Sequence, residues 1–152
     1  MEPLDRSARL RLLEGLAAQT ERLARALAQL GEVYDHLDER RAEDLEERLF
    51  KPLQRAYARA QRAVGDYAAG NGLPTPSVAP APPPLPAAGV RELVARALAE
   101  LEEADAGMVA IQDDDLYPEI SDQPLRAAIG EIRSILAGCA QAGRELLKEF
   151  GR

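Results

Sequence analysis

The chain has 152 residues, with 28 Ala and 22 Leu against six aromatics and no Trp. That balance favours helix and excludes a β-sandwich or a parallel-sheet enzyme, because strands draw on β-branched and aromatic side chains. A net charge of −7 weighs against a nucleic-acid or anionic-membrane binder.

The first helix is expected over about Asp5 to Asp35, with Asp5 or Ser7 as its N-cap. Its apolar stripe is Leu13, Leu16, Thr20, Leu23, Leu27, Leu30, Tyr34 and Leu37, and the alternating steps of three and four form a heptad seam. His36-Leu37-Asp38 reads as a short turn, so the next helix folds back antiparallel, with Asp38 as its cap. His36 is the only histidine and reads as a solvated or capping residue.

The second stripe is Ala42, Leu45, Leu49, Leu53, Ala56, Ala60, Ala63 and Tyr67. Two successive steps of four bracket Leu49 and Leu53, next to Pro52. A proline there lacks the N–H that would bond the Arg48 carbonyl, so a kinked but continuous helix is predicted. Gly70-Asn71-Gly72 ends it.

Of the 11 prolines, seven fall between Pro74 and Pro86. The segment 73–88 is therefore expected to be polyproline II, long enough to run the length of a helix. Up-down, long-crossover and chain-exchanged topologies all remain open. Pro80 and Pro83 fit a PxxP spacing, but the segment has no basic residue, and a spacer is the preferred reading.

The third stripe is Val90, Val94, Ala97, Leu101, Ala104, Met108 and Ile111. The fourth is Leu125, Ile129, Ile132, Leu136, Cys139, Gly143, Leu146 and Phe150. Tyr117-Pro118 breaks helix continuity between them, and Ser121 or Asp122 caps the last helix, with Pro124 in its first turn. The expected fold is all-α: one domain over 1–152, a four-helix bundle made of hairpins 5–70 and 89–150, joined by the proline-rich crossover 73–88.

No run of about 18 apolar residues offers a transmembrane helix. The acidic start Met1-Glu2-Pro3-Leu4-Asp5 lacks the apolar core of a signal peptide. A cytoplasmic protein is the expectation. Cys139 is the only cysteine, so it has no intrachain disulfide partner, and its small neighbours point to a buried thiol.

Four features are candidates for chemistry. Glu43, Glu47, Glu102 and Asp105 meet at one end of the bundle if the second and third helices are antiparallel neighbours. They would then hold Mg²⁺ or Mn²⁺ for a phosphohydrolase of an all-α type. The heptad register, however, turns Glu43, Glu47 and Glu102 outward. Arg48, Lys51, Arg55, Arg59 and Arg62 form a cationic ridge free of carboxylates. It suits pairing with the acidic third helix through Glu100, Glu102 and Glu103, or else an acidic partner or nucleic acid. Gly130, Ser134, Gly138 and Ala142 recur every four residues, as close packing inside the bundle or as a dimer seam. The acidic loop Asp113-Asp114-Asp115 to Glu119 lacks calcium-loop spacing and reads as solvated.

No nucleophile triad, phosphate loop or dinucleotide motif is present. The expectation is a non-enzymatic interaction or scaffold module without a cofactor. Its partner would be a second copy or another protein, with no membrane partner and no nucleic acid.

Overall fold

The computed structural model describes residues 3–150. They fold into helices joined by turns and by the proline-rich segment 73–88, with no strand. α1 spans Pro3–Val33 and ends in a 3₁₀ turn, Tyr34–His36. Because the helix already includes Asp5 and Ser7, neither is its N-cap; whatever caps it lies outside the described residues.

α2 runs over 39–70 as one continuous rod of three parts: Glu39–Leu45, a π-helical turn Glu46–Phe50, and Lys51–Gly70. Asp38 caps it as expected, its carboxylate accepting the Arg41 N–H at 2.9 Å. The disturbance expected at Pro52 takes the form of the π turn just before it, where the Lys51 N–H reaches back to the Glu46 carbonyl. A π turn holds one extra residue, so Leu45, Leu49 and Leu53 stay on one buried face despite their steps of four. Asn71 and Gly72 close the rod: the Leu73 N–H bonds Ala68 O at 2.9 Å and the Gly72 N–H bonds Ala69 O. Gly72 takes φ +63°, which glycine adopts without Cβ strain.

α3 spans Val90–Asp113, α4 Tyr117–Ile120 and α5 Gln123–Phe150. Helix continuity is broken around Tyr117-Pro118 as expected, and the pair also opens the short α4, because a proline in a first turn gives up an N–H that needs no helical partner. Tyr117 and Ile120 are buried there. Asp122 caps α5 through the Leu125 N–H at 2.8 Å.

α1 packs on α2 and α3, and α5 packs on α2 and α3. α2 and α3 therefore lie diagonally across a shared core, with α2 closest to α5. The contacts Arg22–Glu103 and Arg25–Glu100 run antiparallel along α1 and α3. Arg59–Glu131 and Arg48–Glu145 do the same for α2 and α5.

One contiguous apolar cluster draws on all four long helices. Leu16, Leu23, Leu30, Leu49, Leu53, Leu101, Met108, Ile129 and Leu136 are among its fully enclosed members. Segment 73–88 returns across α1 and α3: the Ala79 N–H bonds the Glu21 carboxylate, and Arg96 donates to the Leu85 and Pro86 carbonyls.

Candidate functional site

The four candidate metal carboxylates are not brought together. Glu43 and Glu47 are exposed on the first two turns of α2, in a depression shared with Arg40 and Arg41. Glu47 accepts Lys51 at 2.5 Å, a bond that raises the lysine's pKa. Glu102 and Asp105 lie on α3 across the core. Glu102 pairs with Arg144 at 3.2 Å and Asp105 with Arg133 at 2.9 Å, and that bond raises the pKa of Arg133. Each arginine belongs to α5, and Glu102 is itself exposed. Among the described residues, no group of three or more His, Cys, Asp or Glu is placed to hold a metal ion.

The cationic ridge meets α5, not α3. Arg48 bonds Asp44 at 2.8 Å, Glu145 at 3.0 Å and Glu149 at 3.3 Å. Burial alone would lower its pKa, but the bonds to Asp44 and Glu149 outweigh it and hold the guanidinium above its ordinary value. Arg59 bonds Glu131 at 3.0 Å. The expected partners Glu100 and Glu103 instead serve Arg25 and Arg22 of α1. The reason is the diagonal placement of α2 and α3. Arg55 and Arg62 are exposed, and neither forms an ion pair among the described residues.

The small-residue stripe is not packed inside the molecule. Gly130, Ser134 and Gly138 are exposed and Ala142 is half-buried. A Cβ built on Gly130 or Gly138 would meet nothing within 4 Å. The packing glycines are others. At Gly143 a Cβ would come within 3.2 Å of Leu98, and at Gly107 it would overlap the Gln19 amide at 2.1 Å. Ala127 and Ala137 widen the bare face of α5. Sequence spacing located the stripe, but glycine and serine carry no hydropathy signal that says which way it turns.

The acidic loop is open to water, and Asp114 caps the Leu116 N–H at 2.8 Å. His36 is exposed in the 3₁₀ turn. Cys139 is 1 % exposed, and burial pushes its thiol up to about 11, with Arg55 pulling weakly the other way. A reactive cysteine needs the reverse setting. Among the described residues, no helix is long and apolar enough to cross a membrane.

No protein-family model, curated protein or solved structure matches the chain.

Proposed function

We propose that the chain is a single-domain four-helix bundle, closed by its proline-rich crossover, that works as a non-enzymatic interaction module and pairs with a second copy through the bare face of α5. The observation that carries this is the exposure of Gly130 and Gly138 with nothing above them. Glycine inside a helix costs about 1 kcal/mol relative to alanine. Nothing in the fold fills the space at these two positions, whereas Gly107 and Gly143 have clear packing reasons; the helical Gly31 and Gly65 are equally open, but only Gly130 and Gly138 flank Ser134 at four-residue spacing on one face. Small residues on one face let a second backbone approach closely. A two-fold pairing would bury the same face on both copies.

The metal-dependent phosphohydrolase reading is less well supported, since its carboxylates are already divided among Lys51, Arg133 and Arg144. The acidic-partner or nucleic-acid reading retains only Arg55 and Arg62 as cations of the ridge outside an ion pair. A cytoplasmic setting fits a chain with one buried thiol.

Cysteine cross-linking tests the proposal. Ser134→Cys in a Cys139→Ala background is expected to form a symmetric disulfide or bismaleimide dimer at micromolar protein. Gln54→Cys, exposed on α2, is the control expected to stay monomeric. Equal cross-linking at both positions would overturn the seam.

A further inference from the structure

Segment 78–88 carries a burial pattern with a period of three. Val78, Ala81, Pro84 and Ala87 are half-buried, and every residue between them is exposed. Three residues per turn is the repeat of polyproline II. One edge of the helix therefore lies on α1 and α3, and two edges face outward. The first outward edge is Pro80, Pro83 and Pro86. The second includes Pro82 and Leu85, and Leu85 is 75 % exposed, the most exposed large apolar side chain among the described residues.

The backbone beneath is fastened. Arg96 donates to the carbonyls of Leu85 at 2.8 Å and Pro86 at 3.0 Å. Glu92 accepts the Ala88 N–H at 2.6 Å and pairs with Arg96 at 2.8 Å. The Ala79 N–H is held by Glu21 at 3.0 Å. The carbonyls of Pro80, Pro82 and Pro83 accept no hydrogen bond from the described residues, so they are open to an outside donor.

We infer that residues 80–86 are a preorganised docking ridge for another protein, one whose groove is lined by aromatic side chains with indole or hydroxyl donors. Such grooves take two edges of a polyproline helix between aromatic rings and bond its free carbonyls. Both edges are presented here, and the third is the one used for anchoring. The segment 73–88 has no charged residue, so recognition rests on apolar contact and carbonyl bonds. A second copy cannot supply the groove. The chain has no Trp, Tyr67 and Tyr117 are buried, Tyr34 is packed edge-on against Phe50, and the remaining tyrosine, Tyr57, is a lone half-buried ring on α2 whose hydroxyl accepts from Gln61. The inference extends the reading of an interaction module and does not depend on pairing through α5.

The probes are three purified polyproline readers: an SH3, a WW and an EVH1 domain, each titrated into ¹⁵N-labelled protein to about 1 mM, a usual weak-binding range. At least one is expected to give saturable shifts at the Ala79, Ala81, Leu85 and Ala87 amides. Its Kd should change less than about twofold across the salt range that screens surface charge. Leu85→Ala leaves the core untouched and is expected to weaken binding about tenfold, the scale of one apolar side chain leaving a pocket. A free peptide of residues 78–88, which lacks the Arg96 fastening, should bind more weakly than the folded chain. Absence of saturable shifts with all three readers, or equal binding by Leu85→Ala, would overturn the inference. Reader binding by a chain that scatters as a monomer sinks the α5 pairing and leaves the ridge standing. A dimer that ignores all three readers does the reverse.

Discussion

Raising the pH from 8 to 10 perturbs the buried Cys139 thiol on α5. Burial lifts that thiol from its ordinary 9.0 to about 11, with Arg55 a smaller opposing influence. A group whose folded-state pKa is raised keeps its full contribution below the unfolded value and loses it as pH rises through the folded one. The loss therefore begins near pH 9 and is complete above pH 11. At about 1.4 kcal/mol per pKa unit, it amounts to about 1.4 kcal/mol by pH 10 and about 2.7 kcal/mol in full. Tyr34 is pushed up from 10.0 to about 12, and Tyr67 and Tyr117 are also raised by burial. Unfolded tyrosines are already ionising as the pH nears 10, so these three also lower stability there, equally in the wild type and in Cys139→Ala, and the difference between the two proteins belongs to the thiol.

The assay is urea unfolding at pH 8, 9 and 10 for the wild type and Cys139→Ala. The variant loses some packing at every pH, on the order of 1 kcal/mol, but between pH 8 and 10 the wild type should lose about 1.3 kcal/mol more than the variant. Thiol labelling gives an independent reading. At pH 8 about one unfolded thiol in ten is ionised, against about one in a thousand in the fold, so native labelling should be at least about a hundredfold slower. Parallel stability curves for the two proteins, or native labelling at the unfolded rate, would refute the reasoning.

Leu16→Ala removes a side chain with no solvent exposure and should cost about 3–4 kcal/mol, lowering Tm by about 10 °C in a thermal melt. Arg48→Met removes a guanidinium bonded to three carboxylates that are each about half exposed. Solvent screening holds the expected loss to about 1 kcal/mol at low salt, and the difference from wild type should shrink in about 0.5 M NaCl. Glu92 is held below its ordinary value by the Ala88 N–H and then by Arg96. The Ala88 amide resonance should accordingly titrate with a midpoint under 4.5 and move up in Arg96→Ala, and the Glu92 part of the fastening, its bonds to Ala88 and Arg96, is lost as pH falls through that midpoint.

The four seams were legible because steps of three and four survive along each helix, and 24 of the 31 residues named in them are buried, the other seven half-buried. The seams are wider than the stripe, however. Leu12, Ala17, Ala26, Leu93 and Leu98 are buried beside them, because each long helix touches two neighbours and a two-position heptad stripe describes contact with one. The stutter at Leu45, Leu49 and Leu53 announced Pro52 correctly. Its resolution as a π turn was not legible, since an added residue and a bend leave the same mark in sequence. Neighbour order was the largest gap. Each apolar stripe fits any partner, and the charges flanking it do not name one: the arginines of α2 found Glu131, Glu145 and Glu149 on α5, while the acids of α3 went to Arg22, Arg25, Arg133 and Arg144. The break in helix continuity at Tyr117-Pro118 was legible, but the short α4 that Pro118 opens was not, since the same residue that ends one helix can open another. The small-residue stripe was visible as spacing. Its exposure depends on how α5 is rotated, and that is fixed by Leu125, Ile129, Ile132, Leu136, Cys139 and Leu146 facing the core.

Assembly through the bare face of α5 is tested most directly by the solution mass, from light scattering over a dilution series. The wild type is expected at about twice the 16.5 kDa chain mass, and Gly138→Glu, which sets a charged side chain on that face, at the single-chain mass with unchanged helical circular dichroism. A wild type that stays at 16.5 kDa across the series would contradict the account.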